Sequence, residues 1–142
     1  MDERTESRIL EKAQYISEAL AVLVQKRESL SFADYRAQRE QRDIVEREFE
    51  TTIEACIDIG KMILKADGET IPPTNVQVFH ELERQEILDT KTARKMAQAA
   101  GFRNILSHQY GNDINDEDVY NFLHQNLPLF HEYLGQVRDF LD

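Results

Sequence analysis

Apolar residues in this chain recur every three and four positions almost from end to end, and that spacing leaves little besides α-helix to fold into. The first stripe, Ile9, Ala13, Ile16, Leu20 and Leu23, predicts an amphipathic helix over Thr5 to Lys26, interrupted at Ser29-Leu30-Ser31. A second helix begins near Asp34, read as its N-cap, with Val45, Phe49, Thr52, Cys56, Ile59 and Ile63 on one stripe. Ile53, Ile57 and Leu64 form another stripe beside it, and a helix apolar on two stripes is the central, most enclosed one. Lys65, Gly68 and the Pro72-Pro73 pair end it.

Thr74-Asn75-Val76-Gln77 has capping-box spacing and leads a third helix through Val76, Phe79, Leu82 and Ile87. Asp89 or Thr90 caps a fourth, which runs to about Tyr110 and stops at Gly111-Asn112. Asn115 and three acids open a fifth, carrying Val119, Phe122, Leu123 and Leu127. Pro128 either kinks it or opens a last segment with Phe130, Tyr133, Leu134, Val137 and Phe140. The expected fold is all-α, an up-and-down bundle of five to six helices forming one domain over residues 1–142. Five Gly and three Pro are too few to punctuate an all-β chain of this length.

Composition narrows the function. No apolar run reaches the ~18 residues that span a bilayer, and the N-terminus lacks the layout of a secretion signal, so a soluble cytoplasmic protein is expected. Cys56, the single cysteine, excludes an intrachain disulfide or a cysteine-based zinc cluster and reads as a small core residue. His80, His124 and His131 lack the spacing of metal ligands, and neither metal nor cofactor is expected. The Glu/Arg-rich run from Arg36 to Glu50 reads as a solvated helix face with i, i+4 pairs.

A net charge of −10 argues against a protein that coats nucleic acid, yet the acid is unevenly spread. Residues 90–112 hold no Asp or Glu, and Lys91, Arg94, Lys95 and Arg103 give them +4, leaving −14 elsewhere. These cations either draw in a polyanion or pair with acids on neighbouring helices. The same segment holds Arg103-Asn104-Ile105-Leu106-Ser107-His108-Gln109-Tyr110. On a helical wheel, Arg103, Asn104, Ser107, His108 and Tyr110 share an arc of roughly 160°, with Phe102, Ile105 and Leu106 opposite and Gln109 marking a fraying end. Upstream, Ala93, Met96, Ala97 and Ala100 lie along the arc that becomes polar. Either the helix is covered on both sides, by its own core and by a second surface, which suggests a dimer, or Gly101 resets its phase.

RNA can be cut without a metal when the 2′-hydroxyl attacks the adjacent phosphate. A histidine titrating near neutrality moves the proton, and an arginine stabilises the charge gathering on phosphate oxygens. Arg103 and His108 stand about 140° apart on one helix, an awkward angle for gripping one phosphate. Two copies meeting across a two-fold axis remove the difficulty by making the site composite. Charge–dipole interaction and capping at a helix C-terminus account for the same residues without any chemistry.

Arg103-Asn104-xxx-His108-x-Tyr110 resembles the R-x4-H-x-Y motif of HepT-type toxins, a branch of the HEPN superfamily of small helical ribonucleases. Glu46-Arg47-Glu48-Phe49 leading into Ile53–Gly60 resembles that family's central helix, and Phe79 to Leu88 with Phe102-Arg103-Asn104 follows its layout. The resemblance implies a homodimer joined through the motif helix and a metal-independent endoribonuclease; it does not choose the substrate, and transfer RNA and messenger RNA both stay open. It implies a cognate antitoxin, a minimal nucleotidyltransferase that moves AMP from ATP onto the motif tyrosine. By position, Arg103 and His108 become catalytic, Asn104 a supporting polar residue and Tyr110 the AMPylated one, with Lys91, Arg94 and Lys95 as candidate RNA-backbone contacts. The alternative is a non-catalytic HEPN module that docks a nucleotidyltransferase or a nucleotide on the same face.

Overall fold

The computed structural model describes residues 1–108 and 114–142, and among them the regular structure is entirely helical. Seven helices follow in order: α1 (Glu3–Ser29), α2 (Phe32–Ala37), α3 (Arg39–Ala66), α4 (Asn75–Arg84), α5 (Thr90–His108), α6 (Asp116–Gln125) and α7 (Leu127–Leu141). None of the described helices is long and apolar enough to cross a membrane.

The caps explain the boundaries. Asp2, Ser31, Thr74 and Asn115 each accept a backbone N–H from the third residue onward, starting α1, α2, α4 and α6. Asp89, not Thr90, caps α5: its carboxylate accepts from Thr92 N at 2.8 Å. Gly68, at φ +77°, closes α3 in the left-handed conformation expected of a helix-ending glycine. Pro128 sits in the first turn of α7 and opens that helix, where its missing N–H goes unneeded.

The helix expected from Asp34 to Lys65 is two helices. Ser31 takes the capping role assigned to Asp34, and Gln38, extended at φ −111° and ψ 97°, separates α2 from α3. Tertiary packing favours the break. α2 turns toward α6 and buries Tyr35 completely, its ring 5.7 Å from that of Tyr120. With Pro128 opening a separate α7, this break raises the expected five or six helices to seven.

Helix α3 is the axis of the bundle and packs on α1, α2, α4 and α5. Both of its predicted stripes are inside: Val45, Phe49, Ile53, Cys56, Ile57, Ile59, Ile63 and Leu64 have no exposed surface. Phe49 lies edge-on to Phe122 and Phe102, whose own rings stack at 4.4 Å, and so ties α3 to α5 and α6. Tyr133 of α7 reaches through the core and donates its hydroxyl to the Cys56 carbonyl at 2.8 Å, satisfying a polar group that burial would otherwise penalise.

Gly60 is required where α3 meets α4. A β-carbon there would lie 2.8 Å from Val78 Cγ1 and 3.1 Å from Leu82 Cδ1, whereas one on Gly135 of α7 would meet nothing within 4 Å. Gly60→Ala should therefore lose about 1–3 kcal/mol of stability by overpacking. Gly135→Ala should gain roughly 0.5–1 kcal/mol from helix propensity alone. Urea denaturation of the two variants against the parent checks both signs.

Candidate active site on helix α5

Helix α5 is polar and small-residued along much of its length, and its neighbours decide where each side chain goes. It packs on α3, α4 and α7. Thr92, Ala93, Met96, Ala97, Ala99 and Ala100 are all buried. The small residues upstream of the motif are therefore covered within the chain itself, and a second copy is not needed to cover them.

The shared polar arc divides in two. Arg103 and Ser107 continue the inward line of Met96 and Ala100 and face α3. Arg103 Nη2 stands 2.7 Å from Glu54 Oε2, and Ser107 Oγ donates to Glu50 Oε1 at 3.0 Å. Residues one turn apart on α5 thus meet residues one turn apart on α3, a ladder of two polar rungs. The Arg103–Glu54 contact is close but oblique: Arg103 Nε and Glu54 Oε2 are both buried atoms without a hydrogen-bond partner among the described residues. The guanidinium is held in place with donor capacity unspent.

Asn104 and His108 point the other way, into solvent. Ile105, expected on the apolar side, is 47% exposed and lies between them and the outer face of Arg94 and Gln98. The core takes Leu106 and half-buries Phe102, whose ring stacks on Phe122 of α6, while Ile105 stays outside the contact. Gly101 sits on this outer line, and a β-carbon there would meet nothing within 4 Å. Tyr110 and the expected stop at Gly111-Asn112 lie outside the described residues, as does Gln109.

The cations of this segment part company as well. Arg103 is ion-paired, as the neutralised-helix reading expects, while Lys91, Arg94 and Lys95 are exposed and form no ion pair among the described residues. Lys91 and Lys95 border a small cleft between the start of α5 and the α6–α7 junction. The solvated run on α3 holds only in part. Arg39 and Asp43 make the expected i, i+4 pair, but Arg42 reaches Asp116 of α6, and Glu50 serves Ser107.

Glu50 and Glu54 are the residues that sequence reading missed. Their signal was present in Glu46, Glu50, Glu54 and Asp58, carboxylates at four-residue spacing along one line of α3. Cys56, fully enclosed, has its thiol pushed up by burial and is inert. His124 lies against the Tyr120 ring at 4.4 Å. Among the described residues no cluster of His, Cys, Asp or Glu is arranged to hold a metal ion.

The fold and this helix define a class: an all-helical bundle that presents an R-x4-H helix beside its central helix. The family described as "Ribonuclease HepT-like" matches residues 3–137, and the chain belongs to it. The family is one of ribonucleases. The chain is 34% identical over 121 residues to the tRNA nuclease HepT of Aphanizomenon flos-aquae (strain 2012/KM1/D3), covering 83% of this chain and 80% of that one. Among solved structures it resembles the tri-AMPylated Shewanella oneidensis HEPN toxin in complex with MNT antitoxin. The TM-score is 0.85 and the identity 21%, over 98% of this chain and 99% of that one. It also resembles YutE, a cytosolic protein of unknown function from Bacillus subtilis, at TM-score 0.82 and 15% identity over 96% and 90% of the two chains.

One titration belongs to the same line on α3. Burial, then Asp43 and Asp116, pushes the Glu46 carboxyl up to about 6, with Arg42 opposing. A carboxyl raised on folding stabilises the native state below its unfolded value and loses that contribution as pH rises through the folded one. Glu46→Gln should therefore melt higher than the parent at pH 7, and the gap should close as pH falls from about 6 toward the ordinary carboxyl value. Thermal melts across that window check the sign.

Proposed function

We propose that the protein is a metal-independent endoribonuclease toxin whose site is shared between two copies of the chain. The observation that carries this reading is the divergence of Arg103, directed at α3, from His108, directed at solvent, on one short stretch of α5. One chain offers a phosphate-binding cation and a proton carrier on different faces. A second α5 packed against the outer line of Gly101, Ile105 and His108 brings a histidine from one protomer toward the arginine of the other. The exposed Ile105 gives that contact an apolar centre, and Gly101 leaves room for close approach.

In the proposed reaction His108 takes the proton from a ribose 2′-hydroxyl as its oxygen attacks the neighbouring phosphorus. The P–O5′ bond breaks, leaving a 2′,3′-cyclic phosphate on one fragment and, with a proton returned, a 5′-hydroxyl on the other. Arg103 stabilises the extra negative charge on the phosphoryl oxygens in the transition state. Asn104, one residue on and exposed, orients the RNA or the imidazole. Lys91, Arg94 and Lys95 extend the cationic line of α5 for backbone contacts in an otherwise acidic protein. The curated relative's name makes transfer RNA the first substrate to test.

The AMPylated toxin–antitoxin complex of the same fold supports a matching control here. A minimal nucleotidyltransferase antitoxin would transfer AMP from ATP to the Tyr110 hydroxyl, with pyrophosphate leaving. The phosphate added two positions after His108 in the chain would repel RNA.

His108→Ala should lower cleavage of bulk transfer RNA by about 10²–10⁴-fold. Arg103→Ala should lower it by about 10²–10³-fold. Both variants should keep the parent's helical spectrum. Full activity in a folded His108→Ala protein would overturn the catalytic reading and favour a non-catalytic module that docks the nucleotidyltransferase. Gly101→Leu should melt no lower than the parent yet sediment as a monomer at concentrations where the parent is a dimer. A dimer of unchanged affinity would remove α5 from the interface. Incubation with the antitoxin and ATP should add mass in AMP steps to the parent and none to Tyr110→Phe.

A further inference from the structure

A groove of about 440 Å³ runs between α1 and α3 and ends at Arg103. Tyr15 of α1 stands in its wall, 47% exposed. Among the described residues its hydroxyl makes no hydrogen bond and its ring meets no other aromatic. An aromatic ring left open in a groove that an arginine also borders offers a flat surface for a ligand.

The polar lining narrows the ligand. Glu11, Glu50, Glu54 and Asp58 all face the groove, yet two of the four are matched by cations. Lys12 pairs with Asp58 at 3.8 Å, and Arg103 with Glu54 at 2.7 Å. Glu50 spends one oxygen on Ser107. Glu11 and the second Glu50 oxygen remain as acceptors, and the partly exposed guanidinium of Arg103 also borders the groove. A ligand that suits this groove has a flat π face, N–H groups for the carboxylates and an acceptor for the guanidinium. A nucleobase carrying an exocyclic amino group meets all three requirements. A basic peptide would use the carboxylates but not the ring.

We propose that this groove holds one nucleobase of the RNA, stacked on Tyr15, next to the phosphate gripped by Arg103. The proposal rests on the ribonuclease reading and deepens it, because it makes cleavage selective for an adenine, cytosine or guanine beside the scissile bond. Uracil has no exocyclic amino group: its one Watson–Crick-edge N–H lies between two carbonyl oxygens, which Glu11 and Glu50 would repel.

The test is binding to the His108→Ala protein, which leaves the RNA uncut, read by fluorescence anisotropy with short labelled oligo(A), oligo(C) and oligo(U). Oligo(A) and oligo(C) should bind severalfold tighter than oligo(U). Adding Tyr15→Ala should weaken oligo(C) by about tenfold, and Tyr15→Trp should restore it. The side chain is half-exposed, so the melting temperature should hold and separate a lost stacking surface from lost folding. Unchanged affinity in the Tyr15→Ala protein, equal affinity for the three oligomers, or no measurable binding overturns the assignment. Cleavage of bulk transfer RNA by the parent protein is scored separately, and its absence would refute the ribonuclease reading itself.

Discussion

Everything about the site depends on how α5 is fastened to α3. The fastening is half apolar and half polar. Phe102 stacks on Phe122 against Phe49, and from the next residue and one turn beyond it Arg103 and Ser107 meet Glu54 and Glu50. The apolar part supplies most of the stability. An ion pair as accessible as Arg103–Glu54 is worth no more than about 1 kcal/mol. Its importance is geometric: it fixes the direction of the one arginine in the motif.

That arrangement reconciles an acidic protein with a polyanionic substrate. The excess of acid lies away from residues 90–112, and the carboxylates nearest Arg103 are partly matched by Lys12, Arg103 and Ser107. On the proposed reading, a phosphate would meet the exposed line of α5, with Lys91, Arg94 and Lys95 leading to His108. Attraction of this kind is short-ranged and screened by salt, which suits an enzyme that must release its product better than a protein that stores nucleic acid.

Much of the fold was legible in the chain. The two stripes of α3, the caps at Thr74 and Asn115 and the stop at Gly68 are local signals, and the structure follows them. The signals that failed were local as well, but tertiary packing outweighed them. Nothing near Asp34 announces that Gln38 will be extended, because the break exists to let Tyr35 reach Tyr120 on α6. Ile105 reads inward by its apolarity, yet Leu106 and Phe102 take the buried side of that turn and leave Ile105 exposed.

The sequence by itself determined the helical class, the identity of the buried axis, the motif and the concentration of positive charge around it. Each is a matter of residue type and spacing along one helix, where geometry repeats every 3.6 residues. Only the tertiary structure decided that Arg103 turns inward while Asn104 and His108 turn outward. It also decided that a carboxylate pair on α3 waits for Arg103 and Ser107 and that Tyr15 borders the same groove. Those facts join residues as far apart in the chain as Tyr15 and Arg103. A helix's own pattern says that it has an inner face, but which polar groups belong to that face depends on what the neighbouring helix offers them.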